Sequence, residues 1–283
     1  EGSGTPIVLI NGGPGDTHHC FHPWFSEIAD AFTVVYYDQR GCGSSDYIPG
    51  NGYTFDQAVD DLDRLREALG YDAWIVLGFS YGGAVAQYYT IRHPERVLGL
   101  ALVAAEPLMS LLPSVDRGTE VFSDDELKAF KEHKDGFTAG KMDYNTMFYN
   151  LLAAGFWKRG NYRSLSPERM AQAARHDMRF DPEFTSDYNT FRFDGVFESC
   201  PVPTLLAEGR YDIIWADGKA EAFAKNHRNA VLARFEKSRH YIFQDEPEEF
   251  MKTLRTWARA IIPAATEEVA EWKEAARSLV KKA

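Results

Sequence analysis

The sequence predicts an α/β fold: a mostly parallel central sheet flanked by helices, with an inserted helical cap. Three observations carry that expectation. Short branched or aromatic runs alternate with helix-period segments before about residue 105 and again after residue 200. Those runs are apolar almost throughout instead of alternating with polar residues, as in strands covered on both faces. From about Pro107 to Pro201 no convincing strand occurs, only charged and aromatic helix-like stretches.

In chain order, Ile7 to Ile10 is the first expected strand and runs into a glycine-rich stretch, and Thr33 to Tyr37 is the second. Phe55 to Leu69 repeats apolar residues at Phe55, Val59, Leu62, Leu65 and Leu69 and stops at Gly70, the pattern of an amphipathic helix with its terminator. Trp74 to Leu77 reads as a strand, Ala84 to Arg92 as a helix halted before Pro94, and Leu98 to Ala104 as the next strand. Inside the insert, Asp124 to Lys134 and Pro167 to His176 have helical character. Pro201-Val202-Pro203 marks the return to the sheet, with strands at Thr204 to Ala207 and Val231 to Phe235 and a helix over Pro247 to Trp257. Thr266 to Ala283 sets Val269, Trp272, Ala276 and Leu279 on one helical face, with acids early and lysines late, which suits a docked amphipathic helix. The expected organisation is a core in two parts, 1–106 and 201–263, a cap over 107–200 and a C-terminal helix over 264–283.

Acidic residues outnumber basic ones, 42 to 31, and the formal charge of -11 repels a phosphate backbone, so no nucleic-acid partner is expected. No apolar run is long enough to cross a bilayer. Cys20, Cys42 and Cys200 are an odd number at wide spacing, the usage of reduced thiols in a reducing, cytoplasmic setting. The expected partner is a small molecule or short peptide.

The chemistry concentrates at strand ends. Gly78-Phe79-Ser80-Tyr81-Gly82-Gly83 joins a strand to a helix through Gly-x-Ser-x-Gly, a turn that strains the serine backbone and exposes its Oγ at a helix N-terminus. A serine hydroxyl needs a general base, and the base an orienting carboxylate. His240, after the strand Val231 to Phe235, is the base candidate; Asp212, after the strand Thr204 to Ala207, is the acid candidate. Asn11-Gly12-Gly13-Pro14-Gly15 lacks the Gly-Lys-Ser/Thr of a phosphate loop, and Asp16 opposes a phosphate. The loop therefore suits an oxyanion, held by the amides of Gly13 and Tyr81, with Gly12 as a competitor for the first position. His18, His19, Cys20 and His22 fit no ordinary zinc spacing, so no metal is expected. Phe21 and Trp24 suit a pocket wall or core packing, the latter being the default, and Asp38 with Arg40 suits substrate contact or an ion pair that shapes its loop, the latter again being the default.

With Asn11-Gly12-Gly13-Pro14-Gly15, Asp38-Gln39-Arg40-Gly41-Cys42-Gly43-Ser44-Ser45 and Gly78-Phe79-Ser80-Tyr81-Gly82-Gly83 in this order, the chain resembles the α/β-hydrolase superfamily and, within it, the proline iminopeptidase family. The resemblance implies a cofactor-independent serine hydrolase acting on small amides or peptides through an acyl-enzyme. An esterase or lactonase, or a ligand receptor on the same fold, is the alternative. Family members typically read His where this chain has Asn11. Their cap supplies a Trp-Glu pair for the substrate's amino terminus, and the nearest counterpart here is Phe156-Trp157-Lys158. Trp157 is thus a candidate for substrate contact, and Glu106, just past a strand end, is a candidate to hold the substrate ammonium in place of the missing glutamate.

Overall fold

The computed structural model describes residues 1–50, 53–105, 123–142, 146–147, 150, 191–193, 195–212, 219–261 and 266–282. Most of the expected cap lies outside these residues, including the expected helix over Pro167 to His176 and the substrate-contact candidate Trp157, and so does the other such candidate, Glu106.

Six parallel strands form the sheet: β1 (Thr5–Ile10), β2 (Phe32–Tyr36), β3 (Trp74–Phe79), β4 (Val97–Val103), β6 (Thr204–Gly209) and β7 (Ala230–Phe235). Their spatial order is β2-β1-β3-β4-β6-β7. The chain moves from β1 out to β2, crosses back for β3, and then proceeds outward the other way. The reversal point lies between β1 and β3, where parallel α/β sheets open a crevice at the carboxyl ends of their strands. Successive residues of β1 divide between the two cores: Ile7 and Leu9 join one apolar cluster, Val8 and Ile10 the other. This period of two, with both faces covered, explains why the strands read as continuous apolar runs.

One face is covered by α1 (Phe55–Ala68), α2 (Tyr81–Arg92) and α7 (Thr266–Leu279), the other by α6 (Pro247–Arg259) and the short 3-10 turns at His18–Phe21 and Trp24–Ile28. α1 starts at Thr54, whose side chain accepts the Gln57 amide, and buries Phe55, Val59 and Leu62. α2 is buried along nearly its whole length, from Tyr81 to Ile91, as befits the helix nearest the sheet centre. Two short helices, α4 (Lys219–Asn226) and α5 (Ile242–Asp245), come after β6 and β7. α6 begins with Pro247 and presents Phe250, Met251, Leu254 and Trp257 inward. Within the insert, α3 (Asp124–Thr138) opens on a Ser123–Glu126 capping box.

Two expectations need correction. The insert was expected to hold no strand, but β5 (Phe191–Arg192) pairs antiparallel with β8 (Lys281–Lys282). The C-terminal helix, expected to run to Ala283, accordingly stops at Leu279. Two-residue strands carry no periodicity of their own; only the meeting of two distant segments makes them. Trp272 anchors that meeting, buried with its indole N–H donating to the Val196 carbonyl at 3.0 Å. Phe21 and Trp24 are core residues, packed with Phe25 and Phe243. The three cysteines are free and buried.

Candidate active site

Ser80 stands between β3 and α2 with φ 52° and ψ -121°, a left-handed conformation that a non-glycine residue adopts only when its surroundings enforce it. The enforcement is steric. A Cβ on Gly78 would lie 2.3 Å from the Gly82 carbonyl oxygen, one on Gly82 would lie 2.2 Å from the Ile10 carbonyl oxygen, and one on Gly83 would lie 2.1 Å from Ala105 Cβ. Each glycine of the elbow therefore lets a backbone approach that any side chain would block. The Ser80 amide donates to the Val103 carbonyl at 3.0 Å, pinning the turn to β4.

Asp212 and His240 come from the ends of β6 and β7, two adjacent strands. Two backbone bonds sew their loops together, Arg210 N to Phe235 O at 2.9 Å and Tyr211 N to Ser238 O at 3.0 Å, and a turn from Asp212 N to Gly209 O at 3.1 Å closes the first loop on itself. Gly209 permits the approach, since its Cβ would meet the Arg239 carbonyl oxygen at 2.1 Å. His240 Nδ1 then donates to Asp212 at 2.9 Å to Oδ2 and 3.1 Å to Oδ1. The carboxylate is acceptor-only, so the proton is on Nδ1 and Nε2 is left as the basic nitrogen. Both side chains are buried. The imidazole packs on Phe79, the residue before Ser80, with ring centroids 5.0 Å apart. Acids from the next helices hold the histidine loop: Asp245 Oδ2 accepts the Arg239 amide at 2.9 Å, and Glu246 Oε2 accepts the Lys237 amide at 2.8 Å and the Ser238 hydroxyl at 2.6 Å. Sequence reasoning missed these two acids, whose only signal was their position five and six residues beyond His240.

Gly13 has φ +117° in the loop after β1, and a Cβ there would collide with the Gly15 and Asp16 amide nitrogens. The loop lies directly beside the elbow, for a Cβ on Gly12 would fall 3.1 Å from Ser80 Cβ. Tyr81 begins α2, its ring 5.5 Å from Phe55. A crevice opens beside this junction, bordered by Gly15, Tyr37, Arg40, Tyr53, Gln57 and Tyr81.

Asp38 and Arg40 do not pair with each other. Arg40 makes a two-point bond to Asp61 of α1 at 2.7 Å, a partner with no sequence signal linking it to the loop. Asp38 instead accepts the His18 amide at 2.9 Å, His18 Nδ1 at 2.8 Å and the Ser44 amide at 2.9 Å. Burial pushes the Asp38 carboxyl up, but these bonds outweigh it and hold the group below its ordinary range. His22 stacks on Tyr36, and burial with the neighbouring His18 and His19 lowers its pKa. Among the described residues no three His, Cys, Asp or Glu side chains form a metal-binding group. No helix among them is long and apolar enough to cross a membrane.

The α/β-hydrolase fold family matches residues 5–247. A proline iminopeptidase of Clostridium botulinum is 29% identical over 277 residues, covering 90% of each chain. One from Saccharolobus solfataricus is 25% identical over 266 residues, covering 90% of this chain and 85% of its own. The crystal structure of VinJ superposes with a TM-score of 0.70 at 23% identity over 92% of each chain, a likeness of fold. The chain belongs to the α/β-hydrolase fold family and, within it, is similar to the proline iminopeptidases.

Proposed function

We propose that this protein is a serine hydrolase that cleaves small amide or peptide substrates through an acyl-enzyme, in the manner of a proline iminopeptidase. The single observation that carries the reading is the His240–Asp212 pair, buried against Phe79, the residue that precedes the strained Ser80. In the first step Ser80 Oγ attacks the substrate carbonyl carbon while His240 Nε2 takes its proton. Asp212 keeps the imidazole in the tautomer that presents Nε2 and stabilises its charged form. The carbonyl electron pair moves onto oxygen, where the amides of Gly13 and Tyr81 receive it. Collapse expels the amine, protonated by His240, and water repeats the sequence on the ester to release the acid. Gly13 is preferred over Gly12 as a donor because it lies directly in the turn, at φ +117°. Glu106 and Trp157 are proposed to meet the substrate's amino end from outside the described residues.

The decisive test is labelling by a fluorophosphonate probe in the native protein and in Ser80→Ala, followed by turnover of a prolyl anilide against short acyl esters. Labelling that disappears in Ser80→Ala, together with anilide turnover, is the expected result. Ester turnover without anilide cleavage moves the protein to the esterase class, and an unlabelled native protein makes it a receptor.

A further inference from the structure

The peptide between Gly12 and Gly13 carries the amide that the proposed mechanism uses, so any role for a side chain in aiming that amide rests on the hydrolase reading. This peptide is trans, and in a planar trans unit C=O and N–H point in opposite directions. With glycine on both sides the unit turns easily about its flanking bonds, so its composition leaves the direction of the Gly13 N–H open.

Asn11 removes that freedom. It is fully buried, and its Nδ2 donates to the Gly12 carbonyl at 3.1 Å and to the Asp16 carbonyl at 2.6 Å, the two carbonyls that bracket Gly13, Pro14 and Gly15. Turning the amide over would set Oδ1 against two carbonyl oxygens, so this orientation is the one that chemistry permits. Oδ1 has no hydrogen-bond partner among the described residues, and the donor end alone holds the side chain. Asn11 is itself fixed against its neighbours: its carbonyl accepts Gln39 Nε2 at 3.0 Å and lies 2.7 Å from where a Gly82 Cβ would stand.

We infer that Asn11 is a positioning residue for the oxyanion site. By holding the Gly12 carbonyl inward, it turns the Gly13 N–H the opposite way, toward the oxygen of the tetrahedral intermediate at Ser80. It touches no substrate and acts through the peptide it orients.

A paired assay with an acyl ester and its thionoester tests this, because sulfur accepts hydrogen bonds poorly and gains little from an oriented amide. In Asn11→Ala, kcat on the ester falls about 10- to 100-fold, short of the roughly 100- to 1,000-fold loss of a whole oxyanion donor, with KM nearly unchanged. The thionoester rate falls much less, so the ester-to-thionoester ratio drops. Asn11→Asp, an acceptor facing two acceptors, lowers the ratio further, and Asn11→His, which keeps one donor, restores part of it. A ratio equal to wild type in Asn11→Ala or in Asn11→Asp overturns the proposal, whatever happens to overall activity. Ser80→Ala assayed in parallel separates the two readings: ester turnover surviving there defeats the hydrolase mechanism, while an inactive Ser80→Ala with an unchanged ratio defeats only the role of Asn11.

Discussion

The elbow after β3 and the loop after β1 touch at Gly12 and Ser80, yet they are held in opposite ways. The elbow is held largely by exclusion: Gly78 and Gly82 admit backbone contacts, and Gly83 a contact with the Ala105 methyl group, that leave no room for a Cβ. The β1 loop, and the β2 loop beside it, are held by attraction, through Asn11, Gln39, Asp38 and His18. Steric fixing has no dependence on pH and fails all at once when a side chain is added. Polar fixing is graded, and it titrates. A serine held in a strained conformation calls for the first; a glycine-rich loop with few side chains of its own leans on the second.

The largest effect is expected where neither region is disturbed. Asp212→Asn leaves the elbow and both loops in place but stops favouring the productive imidazole tautomer, so kcat falls about 10⁴-fold with the unfolding midpoint nearly unchanged. A loss below tenfold in steady-state assays breaks the view that these regions serve one histidine-based site. Next comes Gly82→Ala, whose methyl group meets the Ile10 backbone with no flexible side chain to yield. Destabilisation of about 3 kcal/mol or more is expected in urea unfolding. A well-folded variant would show that the elbow is held by something other than exclusion.

Acid titration separates the polar devices. His227 is buried in a region remote from the elbow, where Asn229 N–H donates to its Nδ1 and its Nε2 donates to Thr204 Oγ1. Burial, with Arg228 adding to it, pushes the pKa down from 6.5 to about 4. The folded state therefore resists a proton that the unfolded chain accepts. Stability is full above pH 6.5 and is lost as pH falls toward about 4, by about 3 kcal/mol at most. His227→Gln should flatten the urea midpoint across that window, and an unchanged slope refutes the assignment. Asp38 acts lower. Its folded pKa is depressed, so its contribution is present above the usual carboxylate range and disappears as pH falls through the folded value. Asp38→Asn should cost about 1–2 kcal/mol at neutral pH and reduce the acid dependence below about pH 4, leaving the His227 window untouched. If Asp38→Asn instead alters the window above pH 4, the two devices are coupled and the contrast between them fails.

Much of the fold and the site was legible in the residues. The six sheet strands were marked by apolar runs, though Phe79 and Gly209 extend two of them beyond the expected ends, because pairing with a neighbour continues past the last branched residue. Ser80 announced itself by its glycines, and Asp212 and His240 by following strands. The partner of Arg40, the acids Asp245 and Glu246, and the strand pair β5–β8 carried no local signal. Asn11 was visible as a residue, but its side chain's task was not.

By itself the amino-acid order determined what is periodic or local: a sheet covered on both faces, the turn that strains a serine, and the order along the chain of Ser80, Asp212 and His240. Hydrophobic period and the conformational needs of glycine act over a few residues, so they can be read along a line. The tertiary structure alone decided which polar groups meet, that Gly209 lets two loops close on Asp212 and His240, and that one amide holds the carbonyls on either side of the glycine turn. Those contacts join segments far apart in the chain or depend on the direction of a single side chain, and a hydrogen bond is specified by distance and angle that no spacing encodes.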